Sequence, residues 1–288
     1  MRQLIIFVLG LFFSCFVYSQ YHTYNIEKGD ALSSISKKHY GSANLGVTHG
    51  KEVSNPFIKY PYFVGIEITH NNNNKYYCGG TLLNDQWVLT AAHCTRFADI
   101  IPIPLNKLIF KVGMVRLNKQ YEIKQADKVY INPKYDPKSG LNDIALYHLK
   151  TPSKLSTAQF AKLYSGNKPI KYTPVKIIGF GATETKDVSP VMMQAAIKVF
   201  GVNECNKEIV KFNNKFEVCA GTKPISPGEY VNAYFGDSGG PLLINENDIV
   251  YQIGVASGVG GSGNKNRYVV YTYVPAYANW ITTTMLKD

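Results

Sequence analysis

The chain has 288 residues, with 31 Lys and Arg against 20 Asp and Glu for a formal charge of +11, and 45% of it is apolar. It is too long for a peptide and too apolar for an intrinsically disordered chain, while a single all-β domain of roughly 250 residues would fit its length. With 21 Tyr, 14 Phe, 24 Gly and 14 Pro, short strands joined by turns are expected in preference to a helical bundle.

In chain order, the first feature is the apolar run at residues 4–13, which follows Arg2 and precedes the small residue Ser19. At about ten residues it is too short to span a bilayer, and it has the pattern of a secretory signal peptide, residues 1–19. A lipid anchor on Cys15 fits less well, because Phe12-Phe13-Ser14 precedes it. No second spanning run follows, so stable membrane insertion is not expected. Export permits disulfides, and Cys78, Cys94, Cys205 and Cys219 remain after the signal, which allows three pairings.

Residues 24–41 read as a short strand, a turn at Gly29-Asp30 and a helix with Leu32 and Ile35 on one face. This order resembles the first half of a LysM module; its second helix and closing strand are not recognisable, so residues 20–46 are expected to form a pro-segment built on half of such a module. From Val47 onward short apolar runs follow at 62–69, 87–92, 108–115, 128–131, 144–149, 175–180, 249–255 and 268–274. Turn signals at Asn132-Pro133, Asp136-Pro137 and Ser226-Pro227-Gly228 separate them, which predicts an antiparallel barrel or sandwich. A helix is expected over 276–286, where Tyr277, Trp280 and Ile281 share a face. Between Lys107 and Lys138 eight basic residues stand against three acids. They are scattered and lack interleaved aromatics, so they read as a solvated surface, and no nucleic-acid partner is expected.

Three strings carry chemistry: Leu89-Thr90-Ala91-Ala92-His93-Cys94, Asn142-Asp143-Ile144-Ala145-Leu146 and Gly236-Asp237-Ser238-Gly239-Gly240-Pro241. His93 ends an apolar strand. Asp143 opens an apolar run, where a charge is costly unless hydrogen-bonded. Ser238 sits among glycines that permit tight turns. Each alone has an ordinary structural explanation; together they compose a hydroxyl nucleophile, an imidazole base and an orienting carboxylate. Gly236-Asp237-Ser238-Gly239-Gly240 also fits the nucleophile elbow of α/β-hydrolases, but those need a histidine after the serine, and His22, His39, His49, His70, His93 and His148 all precede Ser238. There is no H-E-x-x-H and no P-loop lysine in residues 254–263, and residues 105–120 hold no carboxylate for calcium, so neither metal nor cofactor is expected.

In this order and spacing the three strings resemble the trypsin/chymotrypsin family of serine proteases, over residues 47–288. The resemblance implies an all-β fold, two packed six-stranded antiparallel β-barrels with the site between them and a C-terminal helix. It implies His93 as general base and acid, Asp143 as its orienting carboxylate, Ser238 as nucleophile, and the backbone N–H groups of Gly236 and Ser238 as the oxyanion hole. Ser257 matches the serine that supports the aspartate and begins the strand that binds substrate. The family pairing joins Cys78 to Cys94 and Cys205 to Cys219; a further bridge beside the nucleophile is missing, since Tyr234 stands at its first cysteine position. Cleavage before Val47 would free an ammonium to pair with Asp237, and because Gly46 precedes the cut, the activating protease would have a non-tryptic preference.

The resemblance also speaks to specificity. Asn232 stands where trypsin-like members carry an aspartate, so Arg or Lys selectivity loses its main source. Val259 and Val269 stand at pocket glycines, and branched side chains there would shorten the pocket toward uncharged, small to medium residues. The expectation is a secreted, monomeric serine endopeptidase made as a zymogen, acting on proteins or peptides, with an activating protease and a protein inhibitor as further partners. The alternative is a catalytically silent homologue that binds cell-wall glycan or anionic surfaces through residues 20–46 and the basic face. For the enzyme, hydrolysis is expected to rise through a single ionisation at roughly pH 6 to 7, since an ordinary histidine titrates at about 6.5.

Overall fold

Strong β-formers and aromatics alternate through seven segments of the first half: β1 (Phe63–Thr69), β2 (Lys75–Leu82), β3 (Trp87–Thr90), β4 (Leu108–Val112), β5 (Glu122–Lys124), β6 (Ala126–Ile131) and β7 (Ala145–Leu149). In the computed structural model, which describes residues 14–15, 24–25, 47, 49–69, 75–97, 101–119, 121–182, 188–209, 212–222, 230–231, 233, 236–260 and 268–287, these make one antiparallel sheet in the order β5-β4-β1-β2-β3-β7-β6. Its edges β5 and β6 are separated in sequence by Gln125 alone. The sheet therefore curls until its edges meet, and β5 and β6 act as two halves of one bent strand in a six-strand barrel. No ladder joins β5 to β6 among the described residues; the chain itself crosses the seam, where the Gln125 carbonyl accepts from Lys150 N–H at 2.8 Å. Phe110 and Tyr147 meet edge to face inside it, with centroids 4.9 Å apart.

The second half repeats the idea with β8 (Pro174–Gly179), β9 (Met193–Val199), β10 (Glu217–Gly221), β11 (Pro241–Glu246), β12 (Ile249–Gly260) and β13 (Tyr268–Tyr273). The order is β12-β11-β8-β9-β10-β13, and β13 pairs back onto β12, closing the barrel. Along β9 burial alternates, with Ala195, Ile197 and Val199 inside and Ala196 and Lys198 outside, the period of two that a strand with one apolar face requires. Lys51–Glu52 extends β9 on one side, so the chain just after Val47 is strapped to this barrel.

The two halves share an apolar seam. Phe63 of β1 stacks on Phe180, the residue after β8, with centroids 5.5 Å apart. A 3-10 turn, Val274–Tyr277, leads into the C-terminal helix Ala278–Met285, and Tyr277 and Ile281 bury themselves in the cluster dominated by the first barrel. The helix thus ties the end of the chain across both halves. Bridges join Cys78 to Cys94 and Cys205 to Cys219, closing sequence separations of 16 and 14 residues, each worth about 3 kcal/mol by loop closure.

The turns expected at Asn132-Pro133 and Asp136-Pro137 form, with Tyr135 N donating to Asn132 O at 2.9 Å and Gly140 N to Asp136 O at 2.8 Å. Strands β2, β5, β9, β10 and β11 and the helix Val202–Glu208 were not legible as separate runs, because glycine, alanine or charged residues interrupt their apolar pattern. Within the basic stretch, Lys111 is no surface lysine: it is buried and paired with Glu67 at 2.8 Å. Ser14–Cys15 pairs with Tyr24–Asn25, while Asn232, Tyr234, the Ser226-Pro227-Gly228 turn and nearly all of the expected pro-segment lie outside the described residues. Among the described residues no helix is long and apolar enough to cross a membrane.

Candidate active site

His93 begins a 3-10 turn, His93–Thr95, at the end of β3. Thr95 Oγ1 closes the turn on Ala92 O at 2.7 Å, and the Cys78–Cys94 bridge staples it to β2. The imidazole Nδ1 lies 2.7 Å from Asp143 Oδ2, while the backbone N–H of His93 donates to Oδ1 at 2.8 Å. Both carboxylate oxygens thus grip one residue, which fixes the ring plane and places the proton on Nδ1.

Asp143 is buried at 2% exposure, and its oxygens are satisfied from several elements. Ser257 Oγ donates to Oδ2 at 2.6 Å. Ser257 falls at the break in the β12–β13 register between Ala256 and Gly258, a bulge that turns its side chain toward the other barrel. Thr272 Oγ1 of β13 donates to the Asp143 carbonyl at 2.8 Å. The preceding Asn142 adopts a left-handed φ of 60°, a conformation asparagine tolerates. Its amide donates to Lys134 O at 2.7 Å, and the Tyr277 hydroxyl donates to its Oδ1 at 2.9 Å. Burial pushes the Tyr277 phenol up, with the charges of Glu217 and Asp143 adding to it, so it remains a neutral donor.

The serine loop approaches from the second barrel. Gly236 has φ 94° and Gly239 φ 77°, both in the left-handed region; a Cβ on Gly239 would collide with Thr90 Oγ1 and Gly79 O. Gly79 N–H of β2 donates to Ser238 O at 2.7 Å, and Gly239 N–H to Ala256 O at 2.8 Å. His93 Nε2 lies 3.7 Å from Cys94 Sγ, and that sulfur lies 3.6 Å from Ser238 O, so the histidine and the serine flank the same bridge. Asp237 turns inward at 2% exposure and accepts Gly181 N–H on Oδ1 at 2.8 Å.

Among the other expected site residues, Val47 is buried in the apolar cluster of the second barrel, at 1% exposure. Val259 stands directly opposite Val269 in the β12–β13 ladder, and Val269 is buried in the same cluster. Asn232 is not among the described residues. Donor atoms of Cys78, His93 and Cys94 lie within 4.8 Å of one another, but both sulfurs are in a bridge and offer no thiolate to a metal. Thr272, Tyr277 and Asn142, which hold Asp143, were not anticipated. Their signal in the sequence is slight: one threonine in an otherwise apolar strand, and an asparagine just ahead of the aspartate.

The trypsin family model matches residues 50–281. Clotting factor C of Tachypleus tridentatus and Limulus clotting factor C of Carcinoscorpius rotundicauda are each similar to the chain, with 29% identity over 248 residues, 77% of this chain and 24% of the relative. The chain therefore spans about a quarter of the length of these curated relatives. By its fold and by the family match over most of its length, the chain belongs to the trypsin family of serine endopeptidases.

Proposed function

We propose that the chain is a secreted endopeptidase that hydrolyses peptide bonds through an acyl-enzyme on Ser238. In this reading Ser238 Oγ attacks the scissile carbonyl as His93 Nε2 takes its proton; the imidazolium, stabilised by Asp143, then protonates the leaving amine. Water enters, gives a proton to His93 and attacks the ester carbonyl; the tetrahedral intermediate collapses, and Ser238 leaves with the proton returned. The N–H groups of Gly236 and Ser238 serve the developing oxyanion in both halves, for which the left-handed φ of Gly236 is suited. The observation that carries the reading is the two-point grip of Asp143 on His93, at 2.7 and 2.8 Å, with Ser257 as a third hydrogen bond.

The finer parts have their own support. Two disulfides fit an oxidising compartment, as the signal pattern does. Cleavage before Val47, with its new ammonium paired to Asp237, accords with the burial of both residues on the second barrel. A preference for uncharged, small to medium side chains follows from Asn232, Val259 and Val269. The substrates are proteins or peptides, with an activating protease and an inhibitor as partners. A fluorophosphonate probe, applied to protein cleaved before Val47, tests the reading: it labels wild type and leaves Ser238→Ala unlabelled. Equal labelling of both, or of neither, would overturn it.

A further inference from the structure

A second carboxyl lies in the wall behind Asp143. Glu217, the first residue of β10, stands directly opposite Thr272 in the β10–β13 ladder. Directly opposed residues of an antiparallel pair project from the same face, with Cβ atoms about 5 Å apart. From that face Thr272 reaches Asp143 O at 2.8 Å. Glu217 is 7% exposed, and its neighbour Phe216 stacks on Tyr277, the residue that holds Asn142, at 5.9 Å.

One backbone amide, one cation and one anion act on Glu217. Asn213 N–H donates to its carboxylate at 2.6 Å. From the loop ahead of β8, the Lys168 ammonium donates to the Glu217 backbone carbonyl at 2.7 Å and to Asn214 O, and it lies 4.7 Å over the Tyr273 ring. Asp143 acts on Glu217 from the loop ahead of β7, and Tyr277 feels both carboxyls from the C-terminal turn. Burial pushes the Glu217 carboxyl up to about 7, with Asp143 adding to the rise while Asn213 N–H and Lys168 oppose it. Burial also pushes Lys168 down, to about 8. In mildly acid solution Glu217 holds its proton; in mildly alkaline solution it is an anion.

We propose that Glu217 is a positioning residue acting through Asp143: its ionisation places a second negative charge behind the His93–Asp143 pair and favours the imidazolium that forms during catalysis. The proposal rests on His93 being the general base. It replaces a single-ionisation pH response by two linked ones, because a charge in the protein interior, at an effective dielectric of about 20, is felt across a side chain's length or more. The expected coupling is about half a pH unit on the imidazole, or about threefold in rate.

The test reads the His93 imidazole by NMR in Ser238→Ala, with Glu217 present and with Glu217→Gln, so that no hydrolysis is needed. Glutamine keeps the size of the side chain and an acceptor for Asn213 N–H. Two linked steps are expected with Glu217 present, and one step, about half a pH unit lower, with glutamine. Superimposable titrations overturn the proposal whether or not the wild type cleaves peptides. On the active background, kcat/KM against pH should lose its upper step and about threefold of its plateau in Glu217→Gln, and the upper step should move to higher pH in Lys168→Met. An upper step unmoved by either change contradicts the proposal. A protein that shows the coupling by NMR, yet has no Ser238 reactivity, would keep the linkage and overturn the protease reading instead.

Discussion

At the residue scale the site depends on how completely Asp143 is satisfied. A carboxylate at 2% exposure is tolerable because His93 Nδ1, His93 N–H and the Ser257 hydroxyl all point at it. Removing one of these leaves the ring less firmly aimed. Ser257→Ala is expected to lose about 1 to 2 kcal/mol of transition-state stabilisation, a fall of about tenfold in kcat/KM, with the fold intact by circular dichroism. An unchanged kcat/KM would show that the backbone and Nδ1 contacts suffice. The proposed His93, Asp143 and Ser238 each lie in a contiguous string whose chemistry is local, so the sequence alone could put them forward; the structure adds the His93–Asp143 pairing. Thr272, Tyr277 and Glu217 were not legible there, since their relation to Asp143 is created by strand register and by the path of the C-terminal turn, neither of which leaves a local pattern.

At the element scale, irregularities in the strands place the chemistry. The bulge at Ser257 turns one side chain of β12 out of the ladder, and the bend at Gln125 lets a single strand close the first barrel. The sequence showed the runs that became β1, β3, β4 and β7, whose apolar residues are continuous, and missed β2, because Gly79-Gly80 looks like a turn. Those glycines are needed for packing: a Cβ on Gly79 would meet the Gly240 backbone at 2.8 Å, so β2 can approach the serine loop only without a side chain there. The first barrel also carries a buried charge cluster. Glu67 pairs with Lys111 at 2.8 Å and with the half-exposed Lys75 at 2.6 Å. Although burial alone would raise it, the two lysines bring its carboxyl below the usual range, so its stabilisation is present above that range and is lost on acidification. Lys111→Met should cost about 3 kcal/mol by thermal unfolding at neutral pH, because the exposed Lys75 is a weak replacement, and adding Glu67→Gln should recover most of it. A single variant as stable as wild type would refute the assignment of a structural role to this pair.

At the scale of the whole molecule, neither barrel holds the site alone. The first contributes His93 and Asp143, the second Ser238, Ser257 and Thr272, and the C-terminal turn reaches back through Tyr277 to hold the loop that bears the aspartate. The all-β class and the C-terminal helix were legible from composition, turn signals and the spacing around Trp280. The seam was not, since the Phe63–Phe180 contact joins residues far apart in sequence that look like ordinary core. In the function proposed above, this two-barrel assembly makes Ser238 a nucleophile toward peptide bonds. The most direct measurement takes the purified protein with its N-terminus read by mass spectrometry and incubates it, beside Ser238→Ala, with a diverse peptide library. The expected result is an N-terminus at Val47 and cuts made by wild type alone, after uncharged residues such as Ala, Val or Leu. A protein beginning at Val47 that cuts no peptide, or cuts equally well without Ser238, would contradict it.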